Sequence, residues 1–97
     1  MTSTVILHPA AEEEIYQAFA WYEERSDIAA WAFVQELSSM VRLAVSSPET
    51  WPIIIGNTRR IVFPRFPFDL VFRVTDQAIQ IVAVAHNRRQ PSYWLNR

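Results

Sequence analysis

Apolar residues recur with a helical period in the first half of the chain and alternate as in strands in the second half. Residues 4–8 are predicted as a short strand that ends at Pro9, a residue suited to the first turn of a helix. The first predicted helix then has one apolar face, formed by Ala11, Ile15, Ala18, Phe19 and Tyr22. The face of the second predicted helix is formed by Ala30, Phe33, Val34, Leu37, Val41, Ala44 and Val45.

The two predicted helices are joined by a short link at residues 25–27, in which Ser26 or Asp27 can cap the second helix. So short a connection predicts an antiparallel helical hairpin. Residues 49–57 are predicted as a loop. Residues 59–63, 68–75 and 78–86 then read as strands, because they are rich in β-branched and aromatic residues. Helices followed by a strand meander favour an α+β fold with an antiparallel sheet, a single domain over residues 1–97.

The last predicted strand, residues 78–86, is apolar on both sides. Strict alternation places four residues on one face (Ile79, Ile81, Ala83, Ala85) and four on the other (Gln80, Val82, Val84, His86). Both faces of such a strand need protection from water, and one helical hairpin covers one face. The second cover is predicted to be the tail with Tyr93 and Trp94, a second copy of the chain, or a partner chain.

Composition excludes several classes of function. The 97 residues contain no cysteine and one glycine, so thiol chemistry and a glycine-rich phosphate loop are excluded. Two histidines without cysteine do not predict a metal site, and no cofactor is expected. The start of the chain lacks the pattern of a signal peptide, and the apolar runs are shorter than a membrane span. A cytoplasmic protein without a membrane partner is therefore expected.

Acidic and basic residues are sorted into opposite halves of the chain. Eight of the ten acidic residues lie within residues 1–50, whereas seven of the nine basic residues, all of them arginine, lie within 51–97. The guanidinium group binds carboxylates and phosphates through two parallel hydrogen bonds. This distribution predicts an anionic partner, either nucleic acid or an acidic peptide, for the second half.

Several residues of the basic half could make such contacts. Arg59 and Arg60 are adjacent in a strand, so one of them is expected to reach the open side of the sheet. Arg73 shares a strand face with Asp69, which allows a structural ion pair between them; a contact of Arg73 with a partner is the alternative. His86 follows the most apolar strand and precedes Arg88 and Arg89.

The same cluster has a catalytic interpretation. A histidine can transfer protons near neutral pH, adjacent arginines can stabilise a phosphate, and Tyr93 can donate a proton or stack on a base. A structural, hydrogen-bonded His86 is the alternative. Trp94 is interpreted as a hydrophobic cover over an exposed edge.

The order and spacing of many residues resemble the RelE/ParE superfamily, the small toxins of bacterial type II toxin–antitoxin modules. The resemblance rests on Ala11, Glu14, Ile15, Ala18, Trp21 and Tyr22, on Ala30, Phe33, Leu37 and Pro48, on Arg59, Arg60, Phe66, Pro67, Phe68, Val71, Phe72 and Arg73, and on Ile81, Val82, Ala83, Val84, His86, Arg88, Arg89, Pro91, Tyr93 and Trp94. It implies two helices against an antiparallel sheet, an antitoxin that lies across the toxin in a hetero-oligomer, and a role in growth inhibition and plasmid stabilisation.

The resemblance leaves two mechanisms open. RelE-like members cleave mRNA on the ribosome; here Arg60 and Arg89 would stabilise the phosphate, and His86 or Tyr93 would transfer protons. ParE-like members bind DNA gyrase without catalysis. The absence of lysine, the isoelectric point of about 6.1 and the closing Arg-Arg-x-Pro-x-Tyr-Trp pattern favour the ParE-like branch. A toxin-like scaffold without toxicity is a third possibility. The residues predicted to bind a partner or target are Arg59, Arg60, Arg73, Arg88, Arg89 and Trp94.

Overall fold

The computed structural model describes residues 4–97 as two helices packed on one face of a five-stranded sheet. The elements in chain order are β1 (Thr4–Leu7), α1 (Pro9–Glu23), α2 (Asp27–Ser46), β2 (Ile53–Ile55), β3 (Thr58–Val62), β4 (Phe68–Val74) and β5 (Ala78–His86). The predicted α+β class, the helical hairpin and the three strands of the meander are confirmed.

Both helices begin at side-chain caps. The Nδ1 atom of His8 accepts a hydrogen bond from the backbone N–H of Ala10 at 3.0 Å, immediately before Pro9 starts α1. The hydroxyl of Ser26 accepts from Ala29 N at 3.2 Å and caps α2, so Ser26 rather than Asp27 has this role. Such caps satisfy N–H groups that have no partner within the helix.

The sheet is mixed, with strand order β1-β5-β4-β3-β2. Strands β2 to β5 run antiparallel, as predicted, but β1 pairs with β5 in parallel, and this corrects the expectation of a purely antiparallel sheet. Residues 53–55 form β2, although the sequence predicted a loop there. Gly56, with φ of 57°, provides the left-handed conformation of the turn between β2 and β3.

A β-bulge in β5 changes which residues face the helices. Phe72 pairs with Ile81 and Val71 pairs with Ala83, so Val82 is an extra residue in β5. Val84 therefore joins Ile79 and Ile81 on the helix side, and Ala83 and Ala85 turn to the opposite side. The strict alternation predicted for residues 78–86 is wrong beyond the bulge.

The main core lies between the hairpin and the sheet and is centred on Phe33, which is fully buried. Its ring packs against four aromatic rings at centroid distances of 5.4–6.1 Å, those of Tyr22, Phe63, Phe66 and Phe68. Aromatic pairs at such distances contribute beyond the burial of apolar area. The core positions predicted from helix periodicity are confirmed with one exception, Phe19, which packs against Trp31 outside the main core. Met40 is a core residue that the prediction missed.

The buried carboxylate of Glu36, in the middle of α2, ties this helix to the loop between β3 and β4. It accepts hydrogen bonds from the backbone N–H groups of Arg65 and Phe66 at 2.9 and 3.1 Å and from Arg65 Nε at 3.1 Å. By length and composition alone, α2 is long and apolar enough to cross a membrane. Core helices of soluble proteins meet the same criteria. Here one face of α2 is buried against α1 and the sheet.

The distal face, the side of the sheet opposite the helices, is covered by the end of the chain. Trp94 has 5% of its surface exposed and packs with Val71, Val82, Ala83 and Ala85, and Tyr93 and Ile54 flank this cluster. The predicted cover for this face was the tail, a second copy of the chain or a partner chain. In the structure the tail covers it. The need for cover therefore does not by itself require a partner.

Candidate functional site

A buried carboxylate on α1 holds the C-terminal tail in place. Glu14 Oε2 accepts a hydrogen bond from the Tyr93 hydroxyl at 2.7 Å, and both Glu14 oxygens accept from the guanidinium of Arg97 at 3.0 and 3.1 Å. Glu14 Oε1 also accepts from the backbone N–H of Val84 at 3.0 Å. Because β1 pairs with β5 only as far as Ile81, Glu14 and Arg97 satisfy the edge of β5 beyond that point.

Arg89 and Tyr93 are also engaged with this carboxylate. Arg89 Nη1 lies 3.6 Å from Glu14 Oε2, and the Arg89 guanidinium stacks 3.8 Å from the centroid of the Tyr93 ring. Burial, followed by the hydrogen bond to Glu14, raises the pKa of Tyr93 well above its ordinary value. The phenol therefore keeps its proton at neutral pH and donates a hydrogen bond to Glu14.

His86 and Arg88 lie in the turn that follows β5. The Nδ1 atom of His86 accepts a hydrogen bond from the Arg88 backbone N–H at 3.1 Å, and the imidazole packs edge-on against Phe68 at 5.2 Å. These contacts agree with the alternative interpretation of His86, in which it is a hydrogen-bonded structural residue and not a catalytic one. The Arg88 side chain is exposed.

A pocket of about 350 Å³ opens between α1, the ends of β4 and β5, and the tail. We call it the tail pocket; its lining includes Trp21, Tyr22, Phe68, His86, Arg89 and Tyr93. Its size and its largely apolar walls with a few polar groups are typical of sites that receive a ligand or a partner's side chain.

Two arginines border the tail pocket and form what we call its cationic rim. Arg89 belongs to the lining. Arg25 stacks on the lining residue Trp21 and pairs with Glu24 at 3.8 Å. The Arg25 guanidinium lies 3.6 Å from the centroid of the Trp21 ring, and half of its side chain is exposed, as is half of Arg89. Glu14, the acid inside the pocket, is saturated with hydrogen bonds. The pocket thus combines aromatic walls with guanidinium groups that remain accessible to an acidic partner.

The remaining predicted contact residues lie away from the tail pocket. Arg59 Nη1 donates to the carbonyl oxygens of Trp51 and Glu49 at 2.6 and 3.3 Å, whereas Arg60 points to the distal face. This confirms that the two adjacent arginines point to opposite sides. The guanidinium of Arg59 stabilises the segment before β2.

Among the residues that the structure describes, the ion pair between Arg73 and Asp69 that the sequence allowed does not form. Asp69 lies 3.8 Å from Arg60 instead, because Arg60 on β3 is diagonal to Asp69 across the strand pair. Within residues 4–97, the buried Nε of Arg73 and the indole Nε1 of Trp94 have no hydrogen-bond partner. No group of three or more His, Asp or Glu residues in the same part of the chain could hold a metal ion.

The titration of Asp69 gives a test of this assignment. Burial raises the pKa of Asp69 above its ordinary value, and Arg60 opposes this effect. A raised pKa means that the folded protein binds the proton more tightly, so the contribution of Asp69 to stability is greatest at low pH and is lost as the pH rises through the folded pKa. We expect Asp69→Asn to gain stability over the original protein at neutral pH and to lose this advantage near pH 3, below the ordinary pKa of about 3.9.

Urea unfolding of both proteins at the two pH values checks this expectation. The matched control is Asp76→Asn, because Asp76 is exposed in the turn between β4 and β5. An Asp69→Asn variant that is less stable than the original protein at neutral pH would show that the pair with Arg60 outweighs the cost of burial.

Sequence reasoning did not identify Glu14 and Arg97 as parts of the site. Glu14 belongs to three consecutive glutamates whose acidity fits the start of a helix, and nothing local distinguishes it from Glu12 and Glu13. Its partners lie 70 to 83 positions further along the chain. Glu14 is one of the residues on which the superfamily resemblance rests. This was the signal in the sequence that could have identified it as part of the site.

The fold and the tail pocket define a small α+β protein whose candidate site is a largely apolar pocket bordered by arginines. The profile of the family described as "ParE toxin of type II toxin-antitoxin system, parDE" matches residues 5–91. The chain therefore belongs to the ParE toxin family, which confirms the predicted resemblance and its ParE-like branch.

Individual relatives agree with this family, and a solved structure agrees with the fold. Toxin ParE2 of Mycobacterium tuberculosis, in strains CDC 1551 and H37Rv, is 24% identical over 93 residues, which cover 95% of this chain and 89% of the relative. A structure described as the chromosomal ParDE TA system from P. aeruginosa has a TM-score of 0.76 at 19% identity and covers 88% of this chain and 96% of that one. The latter similarity supports the fold.

Proposed function

We propose that this ParE-type toxin inhibits bacterial growth by binding DNA gyrase in the cytoplasm and that an antitoxin protein neutralises it in a hetero-oligomeric complex. Membership in the ParE toxin family supports a role as a toxin and an antitoxin partner, because the family is described as part of a type II toxin–antitoxin system. Where a plasmid carries such a module, the toxin would favour stabilisation of that plasmid.

One observation favours binding over RNA cleavage: the groups required for cleavage are engaged with other residues of the chain, and Arg60 lies apart from the other three. Tyr93 donates a hydrogen bond to Glu14, Arg89 pairs with the same carboxylate, and His86 accepts a backbone hydrogen bond. Arg60 lies on the distal face beside Asp69. General acid–base catalysis needs such groups within hydrogen-bond reach of one substrate, and Arg60 on the distal face does not lie within reach of a substrate in the tail pocket.

The tail pocket is our proposed docking site for the antitoxin. Its cationic rim, formed by Arg25 and Arg89, favours an acidic segment, and the aromatic walls at Trp21 and Phe68 favour an apolar side chain that inserts between them. Aromatic and arginine side chains of this kind often dominate the energy of protein interfaces.

The test is a gyrase supercoiling assay with the purified toxin. We expect micromolar toxin to inhibit supercoiling and the cognate antitoxin to restore it. In the presence of antitoxin, Trp21→Ala should remain inhibitory, because loss of the pocket wall weakens neutralisation by about tenfold or more. Leu43→Ala, at an exposed position near the far end of α2, is the matched control and should still be neutralised.

Two results would support another function. New mRNA 5′ ends in translating extracts that disappear in His86→Ala or Arg89→Ala would identify an mRNA endoribonuclease. Harmless expression of the toxin alone, together with unaffected supercoiling and intact mRNA, would indicate a scaffold without toxicity.

A further inference from the structure

A second surface of unusual composition lies on the opposite side of α1 from the tail pocket. We call it the hairpin patch and define it by Tyr16, Phe19, Ile28 and Trp31. Tyr16, Ile28 and Trp31 have 64%, 84% and 61% of their surface exposed. Three large apolar side chains so exposed and so close in space exceed the scattered apolar residues of an ordinary surface.

The hairpin patch is continuous across the two helices. The rings of Phe19 on α1 and Trp31 on α2 meet edge-on at a centroid distance of 5.8 Å. Tyr16 precedes Phe19 by three residues, and Ile28 precedes Trp31 by three, so each lies on the same helix face as its neighbour. The patch therefore lies over the seam of the hairpin.

Acidic residues surround the hairpin patch. Glu12 and Glu23 lie four residues before Tyr16 and four residues after Phe19, and Asp27 lies four residues before Trp31. Within residues 4–97 none of these three carboxylates forms an ion pair, since the acids that do are Glu14, Glu24, Glu36 and Asp69. The nearby Arg25 is stacked on Trp21, on the other side of α1.

We propose that the hairpin patch binds a basic, amphipathic protein segment, with apolar side chains on Phe19 and Trp31 and with lysine or arginine against the acidic rim. Charge complementarity determines this choice. Two copies of the chain joined through the patch by a twofold axis would bring the same acidic rims together. Nucleic acids and anionic lipid surfaces would be repelled for the same reason.

The hairpin patch and the tail pocket thus differ in charge and lie on opposite sides of one helix. A basic partner on the patch and an acidic partner in the pocket would not compete for the same residues. This inference does not depend on gyrase as the target, so either proposal can fail without the other.

The probe for the test is a synthetic helical peptide with leucine at positions i, i+3, i+4 and i+7 and lysine elsewhere. A second peptide carries glutamate at every lysine position. We expect the lysine peptide to bind the toxin, to perturb the amide resonances of α1 and α2 around Phe19 and Trp31, and to bind more weakly at higher salt. The glutamate peptide should leave those resonances unchanged.

Substitutions in the patch separate apolar contact from charge. Trp31→Ser should weaken binding of the lysine peptide by about tenfold or more, as expected for an aromatic contact at the centre of an interface. The double variant Glu12→Lys with Glu23→Lys should weaken it as well. Leu43→Ser is the control, because Leu43 is 42% exposed near the far end of α2.

Three results would overturn the proposal. They are equal binding of both peptides, resonance changes confined to other surfaces, and unchanged affinity in a folded Trp31→Ser variant. Sedimentation of the toxin alone adds a fourth: a dimer that becomes a monomer on Trp31→Ser would show that a second copy occupies the patch.

Discussion

Glu14→Ala is expected to destabilise the protein by about 3–5 kcal/mol, the range for removal of one partner from a buried ion pair. The side chain of Glu14 is 11% exposed and that of Arg97 is 17% exposed, so water cannot replace the lost carboxylate freely. The substitution also removes the acceptor for the Tyr93 hydroxyl and the Val84 N–H. Urea unfolding measures the loss, which is large against a typical total of 5–15 kcal/mol.

The local effect of the same substitution can be measured separately. Hydrogen exchange at the Val84 amide should accelerate in Glu14→Ala, because this amide lies at the edge of β5 and depends on Glu14 for its hydrogen bond. Arg89→Ala is the matched control. Arg89 is 54% exposed, and its pair with Glu14 should contribute about 1 kcal/mol or less. Equal losses in the two variants would contradict a buried carboxylate as the anchor of the tail.

The helices and the three long strands could be predicted because their signals are local. The helical period, Pro9 in the first turn of α1 and the capping residue Ser26 identify the hairpin from neighbouring positions alone. The short strand β2 was not predicted because it has three residues and directly follows Pro52. Its pairing with β3 depends on the turn at Gly56 and not on alternation.

Non-local pairing explains the other differences. The parallel contact of β1 with β5 joins residue 4 to residue 78, and no pattern within either segment encodes its direction. The bulge at Val82 depends on which β4 residues β5 meets, so alternation read along one strand could not reveal it. In the candidate site, His86, Arg89 and Tyr93 were predicted as a group and do lie together. Glu14, the carboxylate that organises two of them, comes from a helix far away in sequence.

Trp94→Ala is the second substitution for which a large effect is expected. Trp94 fills the distal face against Val71, Val82 and Ala85, and the structure leaves 5% of its surface exposed. Replacement of a buried tryptophan by alanine typically costs about 3–5 kcal/mol, through lost burial and the cavity that remains. Urea unfolding measures this loss, and binding of a hydrophobic dye reports the apolar surface that is uncovered.

Trp94→Phe separates packing from hydrogen bonding at the same position. The indole N–H has no partner within the described residues, so phenylalanine loses volume but no hydrogen bond. We expect this variant to retain most of the stability that Trp94→Ala loses. Leu95→Ala is the control for the tail, since Leu95 is 45% exposed and should matter little. A Trp94→Ala protein as stable as Leu95→Ala would mean that the tail leaves the distal face in solution, and the cover would then have to come from another chain.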